Sequence, residues 1–181
     1  MKKVILTGGT SKRFGSNKAE AKINGKSLLE ILATDLDELI IVGPTTSVKA
    51  IYVREEPIGG GPVSAIGAAM TVVDTELVAI FATDMPFAPK ILDELENSLI
   101  DDAALPVDSE GVVQPLAALY KSDKLRSALN ALGNLENRSL KELVAHLRIN
   151  QVPLAETKFL LDIDTQEDLL KAIDLASRLS Q

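Results

Sequence analysis

Positions 6–30 of the chain read LTGGTSKRFGSNKAEAKINGKSLLE. Gly8, Gly9 and Gly15, the hydroxyls of Thr10 and Ser11, and the cations Lys12, Arg13 and Lys18 follow directly on a short apolar run. Glycines let a backbone approach a ligand closely and adopt positive φ, and successive N–H groups in such a loop form a concave anion site. Three cations beside flexible glycines repel one another unless an anion or solvent separates them. A solvated surface loop would leave this grouping without a task; a polyphosphate accounts for all of it, and the spacing favours that reading. The stretch holds neither GxxxxGK[ST] nor GxGxxG, so it is a different kind of phosphate loop from either.

Three further groups could act with it. Asp84 follows the apolar run LVAIFA and precedes Met-Pro. A carboxylate at the end of a buried strand suits Mg²⁺, which takes oxygen ligands and bridges phosphates; a helix cap or turn is the alternative on the residues alone. Gly59-Gly60-Gly61-Pro62 reads either as a plain turn or as a helix start whose backbone N–H groups meet an anion or a base edge. Glu55 and Glu56, just before it, make sense facing a donor such as the exocyclic amine of a base. Asp162 and Asp164, in FLLDIDTQEDLL, form a second acidic cluster with Asp84 or a polar loop before a helix, where the dipole favours acids. His146, the single histidine, sits beside Leu143, Val144 and Leu147 and reads as a packed surface residue. Asp101, Asp102 and Glu110 read as solvated loop charges.

These residues need a scaffold, and the apolar pattern supplies one. Strands are expected at 3–7, 38–42, 50–53, 77–82, 103–107, 112–120 and 148–154. Helices are expected at 27–36, 63–73, 89–99, 122–132, 139–147 and 165–179, the last capped by Thr165 with Asp168 three residues on. Apolar strands alternating with helices predict an α/β fold: a Rossmann-like three-layer sandwich, mostly parallel, with helices on both faces. With no repeat and no low-complexity linker, residues 1–181 read as a single domain. In such sheets ligands bind beyond the carboxyl ends of the strands, and the segments after Thr7, before Val63 and after Ala82 all lie at strand ends or helix starts.

The net charge of −7 argues against general nucleic-acid binding, and a basic cluster in an acidic chain points to a small anionic ligand. With no cysteine, disulfides, thiolate metal sites and a cysteine nucleophile are excluded. Aromatics are only 3% of residues, so Leu, Ile, Val and Ala must build the core. The apolar runs are too short for a leader or a membrane span, and a cytoplasmic location is expected.

Residues 6–19, LTGGTSKRFGSNKA, resemble the signature LAGGxSxRMGxDKA of the molybdenum cofactor guanylyltransferase family, within the wider Rossmann-like nucleotidyltransferases. GGGPVSAI resembles that family's GPLAGI turn, ATDMPF its CDMPF strand end, QPLAALY its QPL-ALY segment and DIDTQEDL its NINTPEDL segment. The motifs occur in family order over nearly the whole chain. The resemblance implies Mg²⁺-dependent transfer of GMP from GTP to the terminal phosphate of molybdopterin, releasing pyrophosphate. It implies that Leu6, Gly8 and Gly9 hold guanine and ribose, that Thr10, Ser11 and Arg13 hold the β and γ phosphates, and that Gly15 keeps the loop tight. Lys18 would neutralise charge near the α-phosphate, Glu56, Gly61 and Pro62 would lie near the base, and Asp84 would hold Mg²⁺. Asp164 would serve the metal and, with Asp162, the acceptor. Arg13, Lys18 and Asp84 are thus the expected catalytic groups. GTP and molybdopterin are the expected substrates, with transient contacts to proteins that donate or accept the cofactor and none to nucleic acid or membrane.

The chain departs from the pattern at Phe14 (usually Met), Asn17 (usually Asp) and Asp162-Ile163-Asp164 (usually Asn-x-Asn). The last change replaces amides that donate by carboxylates that, when ionised, only accept. The competing readings are a nucleotidyltransferase with a CTP donor or a sugar-phosphate acceptor, and a nucleotide-binding module without turnover.

Overall fold

The computed structural model describes residues 1–8, 21–34 and 36–179. In chain order the elements are β1 (Lys2–Leu6), the short strands β2 (Lys22–Ile23) and β3 (Lys26–Ser27), α1 (Leu28–Leu32), β4 (Leu39–Val42), β5 (Ile51–Val53), α2 (Pro62–Met70) and β6 (Leu77–Ala82). A 3-10 turn at Ala88–Ile91 leads into α3 (Leu92–Asn97), followed by β7 (Ala103–Val107), β8 (Ala117–Lys121), α4 (Ser122–Leu132), α5 (Leu140–Val144) and β9 (Ile149–Pro153). A second 3-10 turn, Thr157–Leu160, precedes α6 (Gln166–Leu179).

Seven strands form one sheet in the order β5-β4-β1-β6-β8-β7-β9. β1 pairs in parallel with β4 and β6, β4 with β5, and β7 with β9, while β8 runs antiparallel to both its neighbours. The strands are apolar on both sides because both faces are covered. Val4, Ile40, Val78 and Ile80 point to the layer of α2, α4 and α5. Ile5, Ile41, Ala79 and Phe81 point to the opposite layer, with Leu32, Ile91 and Leu95. This is the expected three-layer α/β sandwich.

β1 lies between β4 and β6, so the chain leaves β1 toward one side and later returns on the other. That is a topological switch point, where strand ends splay and leave a crevice. Thr83 closes its floor: its N–H and its Oγ1 both donate to the Leu6 carbonyl, at 3.2 and 2.9 Å.

Two expectations are corrected. The strand expected at 112–120 begins only at Ala117; ahead of it lies a single bridge between Val107 and Val113. The Asp108 carboxylate explains this, accepting from the N–H groups of Glu110 and Val112 and from Gln114 Nε2 at 2.7–2.9 Å. Side-chain bonds of this kind compete with ladder pairing. Asp102 is not a solvated charge. Only 7% exposed, it accepts from the backbone N–H, Nε and Nη2 of Arg148 at 3.0–3.2 Å.

These bonds hold the Asp102 carboxyl at a pKa of about 2. A folded-state value below the unfolded one contributes stability above about pH 4, and that stability is lost as pH falls toward about 2. Asp102→Asn is therefore expected to cost about 1–2 kcal/mol at pH 7 and to flatten the acid limb of stability between pH 4 and 2. Denaturant melts at pH 7 and pH 2.5 check both.

Candidate active site

A cavity of about 660 Å³ opens at the switch point. Leu6, Thr7 and Gly8 from the end of β1, Val42 from β4, and Ala82, Thr83 and Asp84 from the end of β6 line it. Gly59, Gly61, Pro62 and Ala65 add the start of α2. Three polar features converge on it.

The first is the start of α2. Gly61, at φ 89°, turns the chain into the helix in a conformation that favours glycine, and Pro62 occupies the first turn. Gly61 offers no capping side chain and no acid lies in the first turn, so the helix directs its positive dipole end into the cavity. The approach is pinned from two sides: Gly59 N–H donates to Glu55 Oε1 at 3.1 Å, and Asn137 N–H donates to the Gly60 carbonyl at 2.7 Å.

The second is Glu55. Half-buried, it lines the cavity, whereas Glu56 is exposed and faces a separate groove with Arg54, Asn134 and Glu136. Only one of the two acids therefore looks into the site. Of the two, it is Glu55 and not the expected Glu56 that lines the cavity at the strand ends.

The third is an acidic cluster. One carboxylate oxygen each from Asp84, Asp162 and Asp164 lies within 4.8 Å of the others. The turn after β6 fixes Asp84, with Met85 N–H donating to the Ala82 carbonyl at 3.1 Å. The two acids from residues 162–164 arrive because Ile163 N–H donates to the Asp84 carbonyl at 3.0 Å. Thr165 then caps α6, with Asp168 N–H donating to its Oγ1 at 3.2 Å and Asp168 Oδ2 accepting from Thr165 N–H at 3.0 Å. Oxygens bound to an octahedral Mg²⁺ at about 2.1 Å stand about 3–4 Å apart. A hard, all-oxygen set this close, at the rim of a cavity, fits that ion after a small contraction.

The structure thus brings Leu6, Gly8, Gly61, Pro62 and Asp84 around one cavity and sets Asp162 and Asp164 against Asp84. Gly9, Thr10, Ser11, Arg13, Gly15 and Lys18 lie outside the described residues. His146 is exposed at the end of α5. Residues the sequence reading passed over include Thr7 and Gly43. Thr7 Oγ1 donates to the Val42 carbonyl at 2.8 Å, and a Cβ placed on Gly43, at φ 148°, would stand 1.8 Å from that oxygen. Gly43→Ala is expected to destabilise the fold by about 3 kcal/mol, from overpacking together with a strained φ, and to displace the end of β1. A thermal melt measures the first effect and nucleotide titration the second.

An α/β sheet with a cavity at its switch point, a helix start opening on it and an adjacent carboxylate cluster is an architecture suited to nucleotide handling, of the Rossmann-like class. The family model for the MobA-like NTP transferase domain matches residues 3–152. A “Probable molybdenum cofactor guanylyltransferase” of Geobacillus is 31% identical over 82% of this chain and 84% of its own length. A protein of the same description from Mycobacterium avium is 28% identical over 92% and 91%. The crystal structure of molybdopterin-guanine dinucleotide biosynthesis protein A from Archaeoglobus fulgidus superposes with a TM-score of 0.77, covering 98% of this chain and 100% of that one at 23% identity. The chain belongs to the MobA-like NTP transferase family and is a nucleotidyltransferase. Among the described residues no helix is long and apolar enough to cross a membrane.

Proposed function

We propose that the enzyme transfers GMP from GTP to the terminal phosphate of molybdopterin, with Mg²⁺ as cofactor and pyrophosphate as the second product. The observation that carries this reading is the placement of the Asp84, Asp162 and Asp164 carboxylates at the edge of a cavity that also receives the start of α2. The relatives' names support the guanylyl donor and the molybdenum cofactor acceptor.

In the reaction an oxygen of the acceptor phosphate attacks the α-phosphorus of GTP. The bond from that phosphorus to the bridging oxygen breaks, and pyrophosphate leaves with the bond's electron pair. The acceptor phosphate is already an anion at neutral pH, so no general base is required, consistent with His146 standing exposed. Such transfers depend on positioning and charge neutralisation rather than covalent catalysis. Leu6, Gly8 and Gly9 place the nucleoside beside the end of β1. Thr10, Ser11 and Arg13 are assigned to the β and γ phosphates, Gly15 to keeping their loop tight, and Lys18 to the α-phosphate. Asp84 and Asp164 would hold the metal, and Asp162 with Asp164 the acceptor side. Bound there, Mg²⁺ supplies charge neutralisation on the triphosphate and in-line orientation.

Glu55 is the carboxylate for the base. A carboxylate offers about four acceptor positions; Gly59 uses one, and the adjacent N–H donors of a guanine edge suit the remainder. Gly61 and Pro62 bring the helix start against the nucleotide. The seven-strand sheet supports reading residues 1–181 as one domain, and a cytoplasmic location suits these substrates. Handing over a labile cofactor calls for transient contacts with the proteins that donate and accept it.

Calorimetric titration with GTP, CTP, ATP and UTP in the presence of Mg²⁺ tests the nucleotide half. GTP alone is expected to bind well. Preferential CTP binding would replace the guanylyl reading with a cytidylyl one, and binding of none would overturn the phosphate loop.

A further inference from the structure

The family model ends at residue 152, yet two of the three clustered carboxylates come from residues beyond it. Among the described residues, those after β9 add no strand to the sheet. What brings Asp162 and Asp164 to Asp84 is the residue between them. Ile163 is fully buried, whereas Asp162 is exposed and Asp164 half-buried. Its N–H donates to the Asp84 carbonyl, tying the segment to the turn after β6. Its side chain enters a small core of its own, with Ile23 from β2, Leu28 at the start of α1, Phe87 after the Asp84 turn, and Ala172 and Leu175 of α6. With Ile163 buried there, the two flanking residues stay outside that core, and their carboxylates meet that of Asp84.

We propose that Ile163 is a positioning residue: its side chain, locked in the core between β2 and α6, sets the spacing of Asp162 and Asp164 from Asp84 and so the affinity of the cluster for a divalent cation. This rests on the metal reading above. Groups that orient metal ligands typically change affinity about 10–100-fold when removed. The same core contains Ala21 and Ile23, in the second half of the stretch 6–30. One packing unit therefore holds both the acids and the downstream end of the glycine-rich stretch.

Mn²⁺ binding to the full chain, followed by electron paramagnetic resonance without nucleotide, separates positioning from general packing. Wild type is expected to bind Mn²⁺, and Asp84→Asn to lose it. Ile163→Ala is expected to weaken binding by about tenfold or more, while Ile163→Val restores it to within about threefold. Leu175→Ala cuts the same core from the third turn of α6, about 14 Å along the helix from its start, and serves as the stability control. It is expected to lower the melting temperature as much as Ile163→Ala while leaving Mn²⁺ affinity within about threefold of wild type. Unchanged affinity in Ile163→Ala, or an equal loss in Leu175→Ala, overturns the positioning role and leaves the metal reading intact. A wild type that binds no Mn²⁺ overturns the metal reading and this proposal together.

Discussion

Asp84→Asn is expected to lower the rate of nucleotidyl transfer by about 10²–10³-fold, the size of effect seen when one preorganised charge-stabilising group is removed. The substitution preserves shape and removes charge. Adding Mg²⁺ should raise the wild-type melting temperature, as a ligand of the native state does, and leave the variant unmoved. An equal Mg²⁺-dependent rise in the variant would remove Asp84 from the metal site.

Lys18→Met is expected to cost about 10²-fold in kcat/KM. Because this cation is assigned to charge that develops at the α-phosphate, most of the loss should appear in kcat and little in the KM for GTP. Arg13, assigned to the β and γ phosphates, should show the complement: a substantial rise in KM when replaced by Met. Steady-state kinetics on the two variants distinguish these assignments. A Lys18 variant altered only in KM would move Lys18 from the reacting centre to simple binding.

The sheet was legible because its strands are buried on both faces and read as unbroken apolar runs, LVAIFA above all. The ends of β1 and β6 were marked as well, by Gly8 and by Asp84-Met85-Pro86. Thr165 with Asp168 announced the start of α6. The hairpin β2–β3 carried a strong signal that was passed over: Asn24-Gly25, at φ 51° and 83°, is the pair a two-residue hairpin turn requires. Other features had no local signal. Whether Glu55 or Glu56 enters the cavity depends on how the chain turns between β5 and α2, which composition does not reveal. Asp102 reads like any loop acid until the chain brings Arg148 beside it, 46 residues later. Asp162 and Asp164 were flagged by resemblance, but the role of Ile163 follows only from packing between β2 and α6, elements far apart in sequence.

The most direct test of the account supplies the purified enzyme with Mg²⁺, GTP and molybdopterin and quantifies pyrophosphate together with the pterin product by mass spectrometry. CTP and acceptor-free reactions run in parallel. The account predicts one pyrophosphate for each guanine dinucleotide formed, and neither product when CTP replaces GTP or when the acceptor is omitted. Tight binding of GTP with no pyrophosphate released in the presence of acceptor would contradict it and make the chain a nucleotide-binding module.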